Sequence, residues 1–579
     1  MLSSVLELLG RHRISWILAV LAVLVAMSVL MLHGYRDKSP TEDEWAHLTR
    51  GIAYFQGQDA RLHYAHPPLA NAVQGLATLG KDLPRLDETA HWARANVGQV
   101  ALEFIRSDYE RARGLLMQVR VVTMLFGLLL ASYAFFWGLA LFGPWTGLLA
   151  MCFVAFNPTI IAQARYVTTD MPAATMLTIA IGELSRFLAG STGKVATWLV
   201  PIWLALAVVT KHTGTLLVPI FAALLCAYFA LSKGRFSTAR PPWRRLLLYL
   251  VVGGCMTWLT VNAAYKFDRT FLTVGSLLET PESSQWSSSG QLLEKTTPLT
   301  AFPQWLPVPL PHVYVYGLAS MRQFNRRGFP SYFMGKPQRF GHVAYFPTML
   351  AIKNPPAMLL GLLGGALWLI RKRRRPSAAV VCVGVITLIL LALMMGSHIN
   401  MGIRHALPLV GTLTLLAGRG VTAFLELLST RWAPVIAGAF IMSSAFSAIT
   451  ASPFYLGYFN LFAGGRARGH EISIYGEDWG QDRVYLARYV EEHNLYPLYY
   501  NHMTRTRYEE VKYLGIESRG LGCRATPPAG SYAALHALSF KTTTKDCWKW
   551  RHGLTPIAHI NHHIFIWKIP EAGPSDTLR

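Results

Sequence analysis

The sequence predicts a mainly α-helical, polytopic membrane protein of about eleven transmembrane helices, with large external loops and a small C-terminal α/β domain. Three observations carry this reading. Apolar residues make up 52% of the 579 positions and charged residues only 15%, against about 25% charged in ordinary soluble domains. The mean hydropathy is +0.30. The apolar residues also fall in uncharged runs long enough to cross a hydrocarbon core about 30 Å thick.

In chain order, the first run, Ile14–Leu32, follows Arg11 and Arg13. A signal peptide would also begin with basic residues, but this run is long for one and no small-residue cleavage site follows it. Further spans are expected at 114–141, 145–162, 171–190, 195–210, 213–231, 246–262, 346–370, 377–396, 405–427 and 433–453. The loop at 232–245 holds Lys233, Arg235, Arg240, Arg244 and Arg245 and no acid, and the run Arg371, Lys372, Arg373, Arg374 and Arg375 follows the eighth span. Cationic short loops stay on the cytoplasmic side, and a cytoplasmic N-terminus puts all of these clusters there. The net charge of +23 then reads as a topological signal, and no nucleic-acid partner is expected.

The same topology places 34–113, 263–345 and the tail from 454 outside, so the chain divides into a membrane module, 1–453, and an external domain, 454–579. In the tail, Asp482–His493 reads as a helix, while Leu495–Tyr500 and Ile564–Ile569 read as strands. Cys152, Cys226, Cys255 and Cys382 lie in spans, and only Cys523 and Cys547 fall in the tail. An oxidising compartment favours one disulfide between those two, with two free thiols as the alternative. Their spacing fits no zinc pattern.

Chemistry-bearing residues collect on the external side. Asp43 and Glu44 stand side by side just after the first span, where Thr41 to Glu44 would also make a helix cap. The prolines in Tyr64-Ala65-His66-Pro67-Pro68-Leu69 hold His66 on a stiff, extended stretch. Asp170 closes the segment Arg165-Tyr166-Val167-Thr168-Thr169 at the membrane boundary, either as an N-cap or as a second acid. Lys211-His212 stands at the outer end of the fifth span, where it suits a phosphate near the headgroups or plain snorkelling.

Together these pieces resemble the GT-C glycosyltransferases, in particular the branch of protein O-mannosyltransferases and lipid A aminoarabinose transferases. Later segments resemble a bacterial subgroup of that branch: Tyr332-Phe333-Met334-Gly335, Tyr345-Phe346-Pro347 with Lys353, Gly402-Ile403-Arg404-His405-Ala406-Leu407-Pro408, and Asp478-Trp479-Gly480-Gln481-Asp482. The resemblance implies transfer of a sugar from a polyprenyl-phosphate donor to a protein, glycan or lipid acceptor at the outer leaflet. In bacteria the carrier would be undecaprenyl, the membrane the inner one, and the C-terminal domain periplasmic. It assigns Asp43 as the base on the acceptor hydroxyl, with Glu44 beside it and Asp170 as the second acid. His66, Lys211, Arg404, His405, Tyr332 and Arg165 are the candidate substrate contacts. His66 stands where the aminoarabinose transferases carry lysine, which leaves the sugar open, and the WWDYG motif of oligosaccharyltransferases is missing.

A departing lipid phosphate needs cations, here Lys211, Arg404 and His66, and an attacking hydroxyl needs a positioned carboxylate. One base and one displacement would invert the anomeric centre. No cofactor is required, although the two acids leave room for a divalent cation. A lipid-linked sugar transporter or flippase is the alternative, but such proteins favour midplane sites and internal repeats.

Overall fold

The structure is a computed structural model describing residues 12–57, 59–192, 194–231, 243–279, 289–372, 376–428, 430–502, 510–543 and 546–571. Of the basic clusters, Arg11, Lys233, Arg235, Arg240 and Arg373 to Arg375 lie outside the described residues. Helices stand at all eleven expected positions. They are α1 (Arg13–Leu32), α3 (Tyr109–Phe142), the pair α4 (Pro144–Ala155) and α5 (Pro158–Ala164), α6 (Asp170–Leu188), α7 (Lys194–Thr210), α8 (Leu217–Leu231), α9 (Trp243–Ala264), the pair α10 (Tyr345–Ile352) and α11 (Pro356–Lys372), α12 (Ala378–Met395), α13 (Leu407–Leu425) and α14 (Ala433–Ala451). The external helix α2 covers Glu42–Gln56.

The count of eleven crossings is not reproduced. Among the described residues six helices are long and apolar enough to cross, or eight if each bent pair is one span. The physical reasons are local. The α4/α5 pair bends by 61° and the α10/α11 pair by 109°, α7 and α8 contribute only shorter apolar stretches, and α6 carries the buried pair Glu183–Arg186. The chain is an integral membrane protein by these helices.

The sharper bend shows how such a break is tolerated. Pro355 and Pro356 interrupt the ladder, and backbone groups freed in an apolar setting must find other partners. The Thr159 hydroxyl donates to the Lys353 carbonyl (2.6 Å), and the Asn460 amide donates to the carbonyls of Ala351 and Asn354 (2.8 and 2.9 Å). Buried Lys353 itself donates to the Leu456 carbonyl and faces Glu477 at 3.3 Å.

Beyond α14, residues Tyr455, Leu456, Tyr458, Phe459 and Trp479 pack into the same core as the membrane helices. The stretch between α14 and the sheet is therefore part of the membrane module's packing, although the expected division fell at 453/454. The remainder forms a five-stranded sheet in the order β4-β3-β5-β7-β6, from β3 (Leu498–Tyr500), β4 (Ser518–Gly520), β5 (Tyr532–His536), β6 (Ala558–Ile560) and β7 (Ile564–Lys568). Strands β4 and β5 run parallel to β3, and β7 is antiparallel to β5 and β6. A separate hairpin pairs β1 (Ser331–Phe333) with β2 (Lys336–Gln338). The expected helix appears as α15 (Arg483–Glu492). Cys523 and Cys547 form a disulfide with Cα atoms 4.7 Å apart.

Candidate active site

The site begins with the start of α2. Glu44 turns back to accept from the Thr41 N–H (2.8 Å), closing the helix end as an N3 glutamate does. A helix advances about 100° per residue, so adjacent Asp43 and Glu44 face different surroundings. Glu44 is fully buried and pairs in fork geometry with Arg120 of α3 (2.7 and 2.6 Å). It also accepts from the Val167 N–H (2.9 Å). Arg120 spends its other donors on the carbonyls of Tyr35, Lys38 and Ser39. Glu44, expected beside the base, is thus a structural anchor with every oxygen committed.

Asp43 faces away from this pair, with its side chain 43% exposed. Its Oδ2 accepts from Arg404 Nη1 at 2.6 Å, the same guanidinium lies 3.8 Å from Asp170, and Asp170 accepts from Lys211 Nζ at 2.5 Å. The result is a line of alternating charge, Lys211–Asp170–Arg404–Asp43, in which only the last carboxylate opens to solvent. Asp170 and Arg404 are 6% and 7% exposed. Burial by itself would raise the Asp43 carboxyl, but the charges of Arg404 and His47 and the Arg404 hydrogen bond outweigh it, so the group is held below the usual carboxylate range. His405 lies within electrostatic reach of Asp170, Asp43 and Lys211.

The C-terminal segment holds Arg404 from behind. Its guanidinium stacks on the Trp479 ring at 4.2 Å, and its Nε donates to the Met401 carbonyl. Gly402 (φ +86°) and Gly476 (φ +87°) touch backbone to backbone, and a Cβ on either would lie under 3 Å from the other chain segment. Only glycine serves at positions needing both a positive φ and such an approach. The Asp478-Trp479-Gly480-Gln481-Asp482 segment also clamps the loop before α2. Lys38 pairs with Asp482 at 2.6 Å in full burial, Ser39 N–H donates to the Gln481 carbonyl, and Arg483 donates to the Pro40 carbonyl.

His66 lies next to this line but is not the cation expected for the leaving phosphate. Its Nδ1 is 3.1 Å from the Thr169 hydroxyl and its ring meets His47 edge-on. Burial, with the fields of His47 and Arg50, pushes it well below the ordinary histidine value, so the ring is neutral near pH 7. Two other expected contacts lie elsewhere. Arg165 is buried and donates to the carbonyls of Pro453 and His33, tying three connections together. Tyr332 packs with Ile474, Ala537 and Leu538 in a cluster of its own.

Some members of the site escaped the sequence reading. Arg120 is a lone buried charge in the apolar second span, a signal in itself. His47 stands four residues after Asp43, hence on the same helix face, and is steadied by Asn71 (3.1 Å). Nothing local marked Trp479 as the partner of Arg404. Among the described residues, no group of three or more His, Cys, Asp or Glu side chains is placed to hold a metal ion.

No curated protein matches the chain. Among solved structures, ArnT from Cupriavidus metallidurans bound to undecaprenyl phosphate is 13% identical with a TM-score of 0.48, over 96% of this chain and 98% of that one. The oligosaccharyltransferase AglB from Archaeoglobus fulgidus is 13% identical with a TM-score of 0.45, over 76% of this chain and 56% of that one. Residues 16–263, which contain Asp43, Glu44, His66, Asp170 and Lys211, match the family model of the dolichyl-phosphate-mannose-protein mannosyltransferases.

Proposed function

We propose that the chain moves a single sugar from a polyprenyl-phosphate donor to an acceptor hydroxyl on the external face of a bacterial inner membrane. The N-terminus would be cytoplasmic and the C-terminal sheet domain periplasmic. The observation that carries the reading is the Lys211–Asp170–Arg404–Asp43 line, which ends in a single solvent-open carboxylate. Asp43, kept ionised by Arg404, accepts the proton of the acceptor hydroxyl as it attacks the anomeric carbon. The bond from that carbon to the phosphate oxygen breaks on the opposite face, which inverts the centre. Arg404 and Lys211 share their donors between the carboxylates and the departing phosphate, where charge develops. Arg404 stands between the two carboxylates and brings positive charge to both.

The test is a transfer assay on the purified chain with a polyprenyl-phosphate sugar. Asp43→Asn keeps the shape but removes the proton acceptor, and turnover is expected to fall about 100-fold or more. Lys211→Ala is expected to weaken donor binding about tenfold or more, for the loss of one charge-assisted contact. Near-normal turnover in Asp43→Asn, or a product with retained configuration, would overturn this mechanism. For orientation, reporters fused after Arg375 and after Arg579 are expected on the cytoplasmic and external sides respectively.

A further inference from the structure

A cavity of about 370 Å³ lies at the end of α14, lined by Thr450, Ala451, Tyr458, Phe459, Arg466, Ala467 and His562. That volume is within the range of small-ligand sites, about 300–1,000 Å³. None of its lining residues belongs to the charged line at Asp43.

Three observations bear on what it takes. The first is charge. Arg466 is half-buried, donates to the Ala451 carbonyl (3.1 Å) and lies 5.2 Å from the Phe454 ring centre. No carboxylate pairs with it among the described residues. Asp482, the acid whose field reaches Arg466, is paired with Lys38, and the Arg466 charge is felt at both Lys38 and Lys353. A half-buried cation among cations favours an anion.

The second is depth. α14 is a candidate membrane span ending at Ala451, so Thr450 and Ala451 stand at the membrane boundary. Met442, Phe446 and Ile449 on its outer face, and Leu461 and Phe462 beyond it, are exposed apolar side chains, as acyl chains would require. The third is the tip of the β6–β7 hairpin. Asn561 (φ +50°) and His562 (φ +56°) are two left-handed residues in the three-residue loop that joins Ile560 to Ile564, a region that asparagine and histidine enter more readily than most side chains. The loop places His562 on the cavity wall. Asn561 is fixed by Asp482 (3.0 Å).

We infer that this cavity binds the phosphate ester of an anionic membrane phospholipid, with Arg466 on the phosphate, His562 at its rim and the acyl chains along Phe446 and Ile449. The shared chemistry is a phosphate anion, and the membrane position selects the lipid-borne form. The site is separate from the donor site, and its test does not depend on transfer activity.

The full chain is reconstituted in nanodiscs of phosphatidylcholine alone or mixed with phosphatidylglycerol, and its thermal midpoint is measured in each. The wild-type midpoint is expected to rise with phosphatidylglycerol, because a ligand that binds only the folded state stabilises it. Arg466→Gln is expected to lose that rise, with apparent lipid affinity down about tenfold, while turnover at saturating donor is unchanged. Ala467→Trp fills the cavity without touching the charge and is expected to lose the rise too, which covers the case in which Arg466→Gln does not fold. An equal rise in all three proteins would reduce the effect to general membrane charge and overturn the assignment. Inorganic phosphate reproducing the whole rise in detergent would overturn the lipid source.

Discussion

The opposite fates of Asp43 and Glu44 make the sharpest prediction. Replacing Glu44 by glutamine keeps the side-chain shape and removes the charge that Arg120 faces in complete burial. Breaking a buried ion pair from one side costs about 3–5 kcal/mol, since the remaining charge has lost its counter-ion. The carbonyls of Tyr35, Lys38 and Ser39 still accept from Arg120, which places the loss toward the lower end of that range. The Thr41 and Val167 contacts are weakened as well. Asp43→Asn leaves Arg404 with Asp170 at 3.8 Å as counter-charge, and Asp43 itself is 43% exposed, so its stability loss is expected to be smaller than that of Glu44→Gln. Thermal melts and transfer assays on both purified variants separate the roles: Glu44→Gln loses stability first, and Asp43→Asn loses turnover with the smaller loss of stability. A Glu44→Gln protein that melts like wild type yet turns over as slowly as Asp43→Asn would refute the division and make Glu44 the base.

Further expectations concern pH and the disulfide. The acid limb of kcat/KM is expected below the ordinary carboxylate range because Arg404 and His47 hold Asp43 down. Arg404→Gln removes the main opposing charge and leaves burial dominant, so the limb moves to higher pH, and a limb that stays put would exclude Asp43 as the titrating group. Burial and Arg50 push His47 down to about 4, and burial and Arg50 push His63 down to about 3. The unfolded chain therefore binds more protons than the native one below about pH 6.5. Stability rises with pH wherever that holds, so it should decline as pH falls from about 6.5 to 4, and His47→Gln should flatten the decline in a series of melts. Replacing Cys523 and Cys547 by serine opens a loop of 24 residues, a loss of about 2–5 kcal/mol. It should appear as earlier melting of the sheet domain, measured by hydrogen exchange at β5 and β7.

What the sequence determined by itself is what short-range physics controls. An apolar run of sufficient length becomes a helix wherever it sits, so helices appear at every expected span, from Arg13–Leu32 to Ala433–Ala451. The α15 helix and the strands β3 and β7 were legible for the same reason, since their side-chain periods are written locally. Strands β4 and β6, the two edges of the sheet, were not legible, because Ser518–Gly520 and Ala558–Ile560 carry no run of β-branched or aromatic side chains and each pairs on one side only. Whether a helix crosses was not local either: the 109° break at Lys353 stands because Thr159 and Asn460, distant in sequence, capture its backbone groups. The site divides in the same way. Adjacent acids, a proline-stiffened histidine and a boundary aspartate could be read from spacing and resemblance, but not the partner each would meet. Tertiary structure alone brought Arg404 to Asp43 across 361 positions, gave Glu44 to Arg120 and turned Arg165 and Tyr332 to packing. It also left His66 neutral. The reason is electrostatic: a buried charge is set by whichever opposite charge the fold places within a few ångströms, and that distance is absent from the order of the residues.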